Sequence, residues 1–153
     1  MNFIGATQHR GNNAATNVAN YVQKAYFPRN TSSIIENLEI KIKDIDLRNW
    51  YLQQILKIEL VARSPAGKII LVWDGDTIPF KKITLYRKGL FQIYKSEEYH
   101  KLYFDSISNL LGISKNVNFS FITQHIVCKS DWARLMINCI ERNTNNHYID
   151  SIV

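Results

Sequence analysis

Four side chains near the C-terminus, His125, Cys128, Cys139 and His147, are of the types that ligate zinc. They follow the spacing His-x2-Cys-x10-Cys-x7-His. Helical periodicity points the other way. Cys139 falls two helical turns after Trp132, on an apolar face where a free cysteine packs as a small hydrophobe. Carboxylates that could hold a catalytic metal occur as Asp44 and Asp46, and as Asp74 and Asp76 around Gly75. Glu39-Ile40-Lys41 has the ExK form of metal-dependent nucleases. That form needs a strand with an acidic partner strand, whereas Glu39 lies in a helical stretch and the aspartates sit where turns recruit them. His9, His100, His125 and His147 show no spacing characteristic of a ribonuclease, and His125 three residues from Cys128 does not make a nucleophile–base dyad. There is no glycine-rich phosphate loop and no GxSxG elbow. No catalytic residue, metal or cofactor is therefore expected, and the balance leans away from an enzyme.

The remaining chemistry is electrostatic. Lys81, Lys82, Arg87, Lys88, Lys95 and Lys101 stand against Glu97 and Glu98 between residues 81 and 101, six cations less two anions, or +4. Tyr86, Phe91, Tyr94 and Tyr99 interleave with them. Cations that meet phosphate beside rings that stack on bases form a pattern for single-stranded nucleic acid. Lys81, Lys82, Tyr86, Arg87, Lys88, Tyr94, Lys95 and Lys101 would be its contacts, for binding or cleaving RNA. The same residues also suit a solvated edge strand, where lysine discourages edge-to-edge pairing.

The whole chain has 153 residues, 19 basic against 13 acidic for a net +6, with 46% apolar and 21% charged residues. That balance excludes a disordered or collagen-like chain and suits one domain with its own core. Two cysteines make no secreted disulfide framework. Residues 1–10 carry no apolar run of a secretion signal, and the longest wholly apolar run is Ile69–Trp73. A cytoplasmic protein with reduced thiols and no membrane partner is expected.

The elements that must position these residues read as follows. Residues 1–13 form a flexible N-terminal arm and 14–153 a single domain. Val18, Val22 and Tyr26 predict a helix over 14–27, ended by Pro28. Ser33 to Glu36 fits a capping box for a second helix through Ile34, Ile35, Leu38, Ile42 and Ile45, although Ile40-Lys41-Ile42-Lys43 also alternates, which suits a strand in its far half. Asp46 caps a short helical turn to Leu52. Leu56, Ile58, Leu60 and Ala62 alternate with Lys57, Glu59, Val61 and Arg63, which predicts a strand. Ser64-Pro65-Ala66-Gly67 then joins it to a second strand at Ile69–Trp73, a β-hairpin. A helix with Tyr99, Leu102, Tyr103, Ile107, Leu110 and Leu111 on one face follows from Ser96 and ends at Gly112. Val117 to Thr123 alternates as a strand. Ser130 caps a last helix with Trp132, Leu135, Met136, Cys139 and Ile140 in the core, and Tyr148–Val153 reads as a short strand. The fold class is α+β: an antiparallel, hairpin-based sheet of about four strands with helices packed on one face.

Three passages in that order resemble the HORMA domains of bacterial anti-phage operons that accompany a cyclic-oligonucleotide synthase. They are Thr16-Asn17-Val18-Ala19-Asn20-Tyr21-Val22, the stretch from Asp46-Leu47-Arg48 to Trp73-Asp74-Gly75-Asp76, and Ser96-Glu97-Glu98 leading to Leu110-Leu111-Gly112 and the strand beyond. The resemblance covers about residues 14–126. It implies a HORMA-like fold and a non-enzymatic adaptor in antiviral defence, whose C-terminal belt wraps an extended peptide paired as an added strand. It further implies a nucleotidyltransferase partner and an AAA+ remodeller engaging the arm Met1 to Asn13. Asn118, Phe119, Phe121 and Thr123 on the strand 118–124 would bind the peptide, and 126–153 would be the belt. The belt departs from the family pattern, because Ser130 to Arg142 reads as helix. An immunity- or inhibitor-type binding protein without chemistry of its own is a third reading.

Overall fold

The computed structural model describes residues 2–6, 31–75 and 77–153. The helix expected over 14–27 and most of the N-terminal arm lie outside them. Helix α1 (Thr31–Lys41) buries Ile34 and Leu38, and Ile42 follows one further turn on. Helix α2 (Ile45–Arg63) starts at Asp44, whose carboxylate accepts the Leu47 N–H at 2.9 Å. Both helices pack with α4 (Ser130–Thr144) and α5 (Tyr148–Ile152) around Ile55, Ile140, Tyr148 and Ile149.

Helix α2 corrects the sequence reading most. The turn expected to stop at Leu52 runs on through the predicted strand at 56–63, so no hairpin forms between Leu56 and Trp73. The physical reason lies in two overlapping periods. Leu56, Ile58 and Leu60 alternate, but Leu52, Ile55, Ile58 and Val61 also repeat every three residues, and no Gly or Pro interrupts 45–63. The helical register is the one that buries side chains: Ile55 and Val61 are the buried residues, and Glu59 accepts from Arg63 one turn on at 2.5 Å. Pro65 then stops the helix, with Ser64 already extended.

Strand β2 (Ile69–Asp74) is the centre of a three-stranded mixed sheet in the order β1–β2–β5. β1 (Asn2–Ala6), from the expected arm, pairs parallel to it, and β5 (His125–Lys129) pairs antiparallel. Ile70, Val72 and Cys128 face Val61 of α2 and Ala133 of α4. On the other face Leu71, Trp73 and Val127 meet Ile83, Leu85 and Phe91. Cover on both faces is why β2 is apolar throughout instead of alternating. A separate small hairpin joins β3 (Tyr86–Arg87) to β4 (Leu90–Phe91). Its turn residues Lys88 and Gly89 have φ of 50° and 83°, the left-handed pair that matches strand twist.

Four further expectations shift. Val117 to Thr123 is not a strand and makes only a bridge between Ser96 and Ser120. β-branched Ile126 and Val127 pair with β2 instead, and Ser130 fixes that register by donating its N–H to Lys68 O at 2.9 Å and its hydroxyl to Pro65 O at 2.8 Å. Helix α4 forms where expected, but the stripe it turns inward is Ile140, buried, with Ala133, Met136 and Ile137 partly buried, and Trp132 and Leu135 are exposed. The tail is the helical turn α5, not a strand. Tyr148 Oη donates to Glu59, and the Thr144 and Ser151 hydroxyls bond at 2.8 Å. Helix α3 (Lys101–Leu111) starts after His100 and not from Ser96, which bridges to Ser120, but it ends as predicted at left-handed Gly112, whose N–H reaches Ser108 O at 2.9 Å. The described chain is thus mixed α+β, with a mixed sheet in place of an antiparallel hairpin sheet.

Candidate protein-interaction site

The antiparallel ladder decides which backbone groups of β5 remain available. Asp74 N donates to Gln124 O at 2.9 Å and Ser130 N to Lys68 O at 2.9 Å. Alternate residues share that role, so Ile126 and Cys128 turn their amides toward Val72 and Ile70. The amides of His125, Val127 and Lys129 therefore point away from β2. The Thr123 hydroxyl donates to the His125 carbonyl at 2.5 Å. Among the described residues no strand pairs with that edge, which leaves Val127 with both N–H and C=O outward.

A cleft of about 430 Å³ opens beside this edge, between α2 and residues 121–126. Trp50, Tyr103, Phe121 and Ile126 give it an apolar wall. The Trp50 and Tyr103 rings lie 6.3 Å apart and 16° from parallel. At its inner end Lys57 Nζ meets Asp74 Oδ1 at 2.6 Å, both partly buried. His125 stacks on Trp73 at 5.0 Å, and Tyr94 meets it edge-on at 5.4 Å.

The expected peptide contacts gather next to this cleft without forming a strand. Asn118 is exposed. Phe119 and Phe121 meet at right angles 5.2 Å apart, with Lys95 Nζ 5.4 Å over Phe119. Phe121 and Thr123 line the cleft. The expected belt 126–153 is folded as β5, α4 and α5. The edge groups of His125 and Val127 escaped the sequence reading because their availability depends on which residues pair with β2. The short β-branched apolar run Ile126-Val127-Cys128 was a signal that could have placed a strand there.

The basic residues are spread across a surface. Lys81, Lys82, Tyr86, Arg87, Lys88, Tyr94, Lys95 and Lys101 are all exposed. Lys101 pairs with Asp105 at 2.7 Å, and that carboxylate holds its ammonium above the ordinary range. Lys81, Lys82, Arg87 and Lys88 make no ion pair among the described residues.

Several of the acidic candidates hold structural bonds. Glu39 reaches Arg48 at 3.4 Å, Lys41 reaches Asp150 at 3.1 Å, and Asp44 caps α2. Asp76 lies outside the described residues. Among those described, no three His, Cys, Asp or Glu side chains gather closely enough to hold a metal ion. Burial pushes the Cys128 thiol up, away from the reactive thiolate.

Comparison with known proteins found no matching family model, no matching curated protein and no matching solved structure.

Proposed function

We propose that this chain is a non-enzymatic protein-interaction adaptor that takes an extended peptide along the outer edge of β5. The outward N–H and C=O of Val127 carry the reading: a bound strand would pair with them. Its side chains on the α2 side would enter the cleft of Trp50, Phe121 and Ile126. Alternate positions would lie over the opposite face, near His125.

In the form the resemblance implies, this is a HORMA-like adaptor of anti-phage defence, partnered by a nucleotidyltransferase and an AAA+ remodeller. Support for that form comes from the strand ending Trp73-Asp74 at the sheet centre and from the helix ending Leu110-Leu111-Gly112. The part of the second passage over 56–63 is helical and lends it nothing. A belt made of 126–153 would move as folded pieces, with the Tyr148–Glu59 bond as its latch.

Selection of random-sequence peptides displayed on phage against the immobilised chain tests the reading. Enriched peptides should alternate apolar residues. They should lose roughly tenfold or more in affinity for Val127→Pro, which removes an outward N–H and no bond to β2. Phe121→Ala should weaken them as well. An absence of enriched peptides, or equal binding by both folded variants, would sink the proposal.

A further inference from the structure

From Thr77 to Lys95 the chain holds five cations, Lys81, Lys82, Arg87, Lys88 and Lys95, and no Asp or Glu. One side of this stretch is anchored, since Ile83, Leu85 and Phe91 pack on Leu71, Trp73 and Val127. Other residues of the stretch carry bulky apolar groups into solvent. Phe80 is 98% exposed, Ile78 74%, Leu90 72% and Ile93 66%. The left-handed pair Lys88 and Gly89 makes the tight turn that sets Arg87, Lys88 and Leu90 at a tip.

We propose that residues 77–95 dock this protein onto the surface of an anionic lipid bilayer. Three observations favour a bilayer over the other partners of a basic surface. Among the described residues nothing walls the Phe80 ring, and a fluid acyl layer can surround such a ring without a matching pocket. After Phe80 the most exposed apolar side chains of the stretch are the aliphatic Ile78, Leu90 and Ile93, which offer nucleic-acid bases nothing to stack on, whereas the Tyr86 and Tyr94 rings are only 38% and 42% exposed. Charge of a single sign suits a uniformly anionic plane, with lysine stems lying along the apolar layer and ammonium groups at phosphate level. No described helix is long and apolar enough to cross a membrane. The expectation of no membrane partner rested on the absence of a spanning run, which docking at the surface does not require. This inference goes beyond the adaptor reading and stands on different residues.

Co-sedimentation of the full chain with lipid vesicles tests it. Vesicles of phosphatidylcholine alone are compared with vesicles containing roughly one third phosphatidylserine, and the anionic ones should bind roughly tenfold or more tightly. Phe80→Asp with Leu90→Asp, and separately Lys81→Glu with Lys82→Glu, should each weaken that binding roughly tenfold or more. The melting curves should not move, because all four side chains are exposed. Equal retention on both vesicle types overturns the proposal, as does wild-type binding by Phe80→Asp with Leu90→Asp. Binding to single-stranded RNA without binding to vesicles also overturns it and gives the surface to nucleic acid.

Discussion

Replacing Ile55 with alanine should lower the unfolding free energy by about 2–5 kcal/mol, read from the urea midpoint. Ile55 is fully buried at 0% exposure, and α1, α4 and α5 close around it. The loss combines the transfer of the removed carbons with the cavity left behind. Against a total stability of about 5–15 kcal/mol for an ordinary domain, this change alone brings the chain near unfolding. It also separates the two periods carried by residues 52–63. In a strand with Leu56, Ile58 and Leu60 facing the core, residue 55 would share the outer face with Lys57 and Glu59, and its truncation would cost little. In α2 the cost falls on Ile55 and Val61, and Leu56→Ala, at a half-buried position, should cost less.

Alkaline titration should reveal the bond that ties the C-terminal turn to α2. Tyr148 is 2% exposed and donates its phenol proton to Glu59. Burial first, and then the Glu59 carboxylate, raise its pKa far above the ordinary value of 10.0. The sign follows from which state ionises first. The unfolded phenol loses its proton near pH 10 while the folded one keeps it. The stabilisation is therefore complete below pH 10 and declines above it, by up to about 1.4 kcal/mol for each pH unit. Tyr148→Phe should be less stable at neutral pH by about 1–3 kcal/mol, since Glu59 loses a donor in a half-buried place. Between pH 10 and 11 its stability should fall less steeply than that of the wild type. Parallel alkaline limbs for the two proteins would place the phenol in solvent and undo the latch.

Local chemistry that announces itself in a few residues was legible in the sequence. The stop at Gly112, the strand Ile69–Trp73, the turn at 64–67 and the last helix all depend on near neighbours, and each stands where the residues place it, although Ser130 is the first residue of that helix and spends its hydroxyl on Pro65 O instead of capping it. Features decided at long range were not legible. Whether 56–63 alternates or winds depends on which face finds a core, and that core is built from Ile140, Tyr148 and Ile149 some 80 residues away along the chain. The partner of β2 comes from 125–129 and not from 56–63, with Ser130 locked onto Pro65 and Lys68 by contacts no local pattern reports. Trp132 and Leu135 lie outside because α4 turns its smaller Ala133 to the sheet. Of the candidate site, Phe121 and Thr123, expected from the sequence as contacts, line the cleft. The outward groups of Val127 required the register itself.

Amide hydrogen exchange along β5 tests the adaptor reading most directly. In the chain alone, the Ile126 and Cys128 amides, paired with Val72 and Ile70, should exchange slowly, and the His125 and Val127 amides should exchange fast. Addition of a display-selected peptide should slow Val127 by roughly tenfold or more and leave Ile126 nearly unchanged. A Val127 amide already as protected as that of Ile126 in the chain alone, or one whose exchange does not respond to bound peptide, would contradict an available β5 edge and the function built on it.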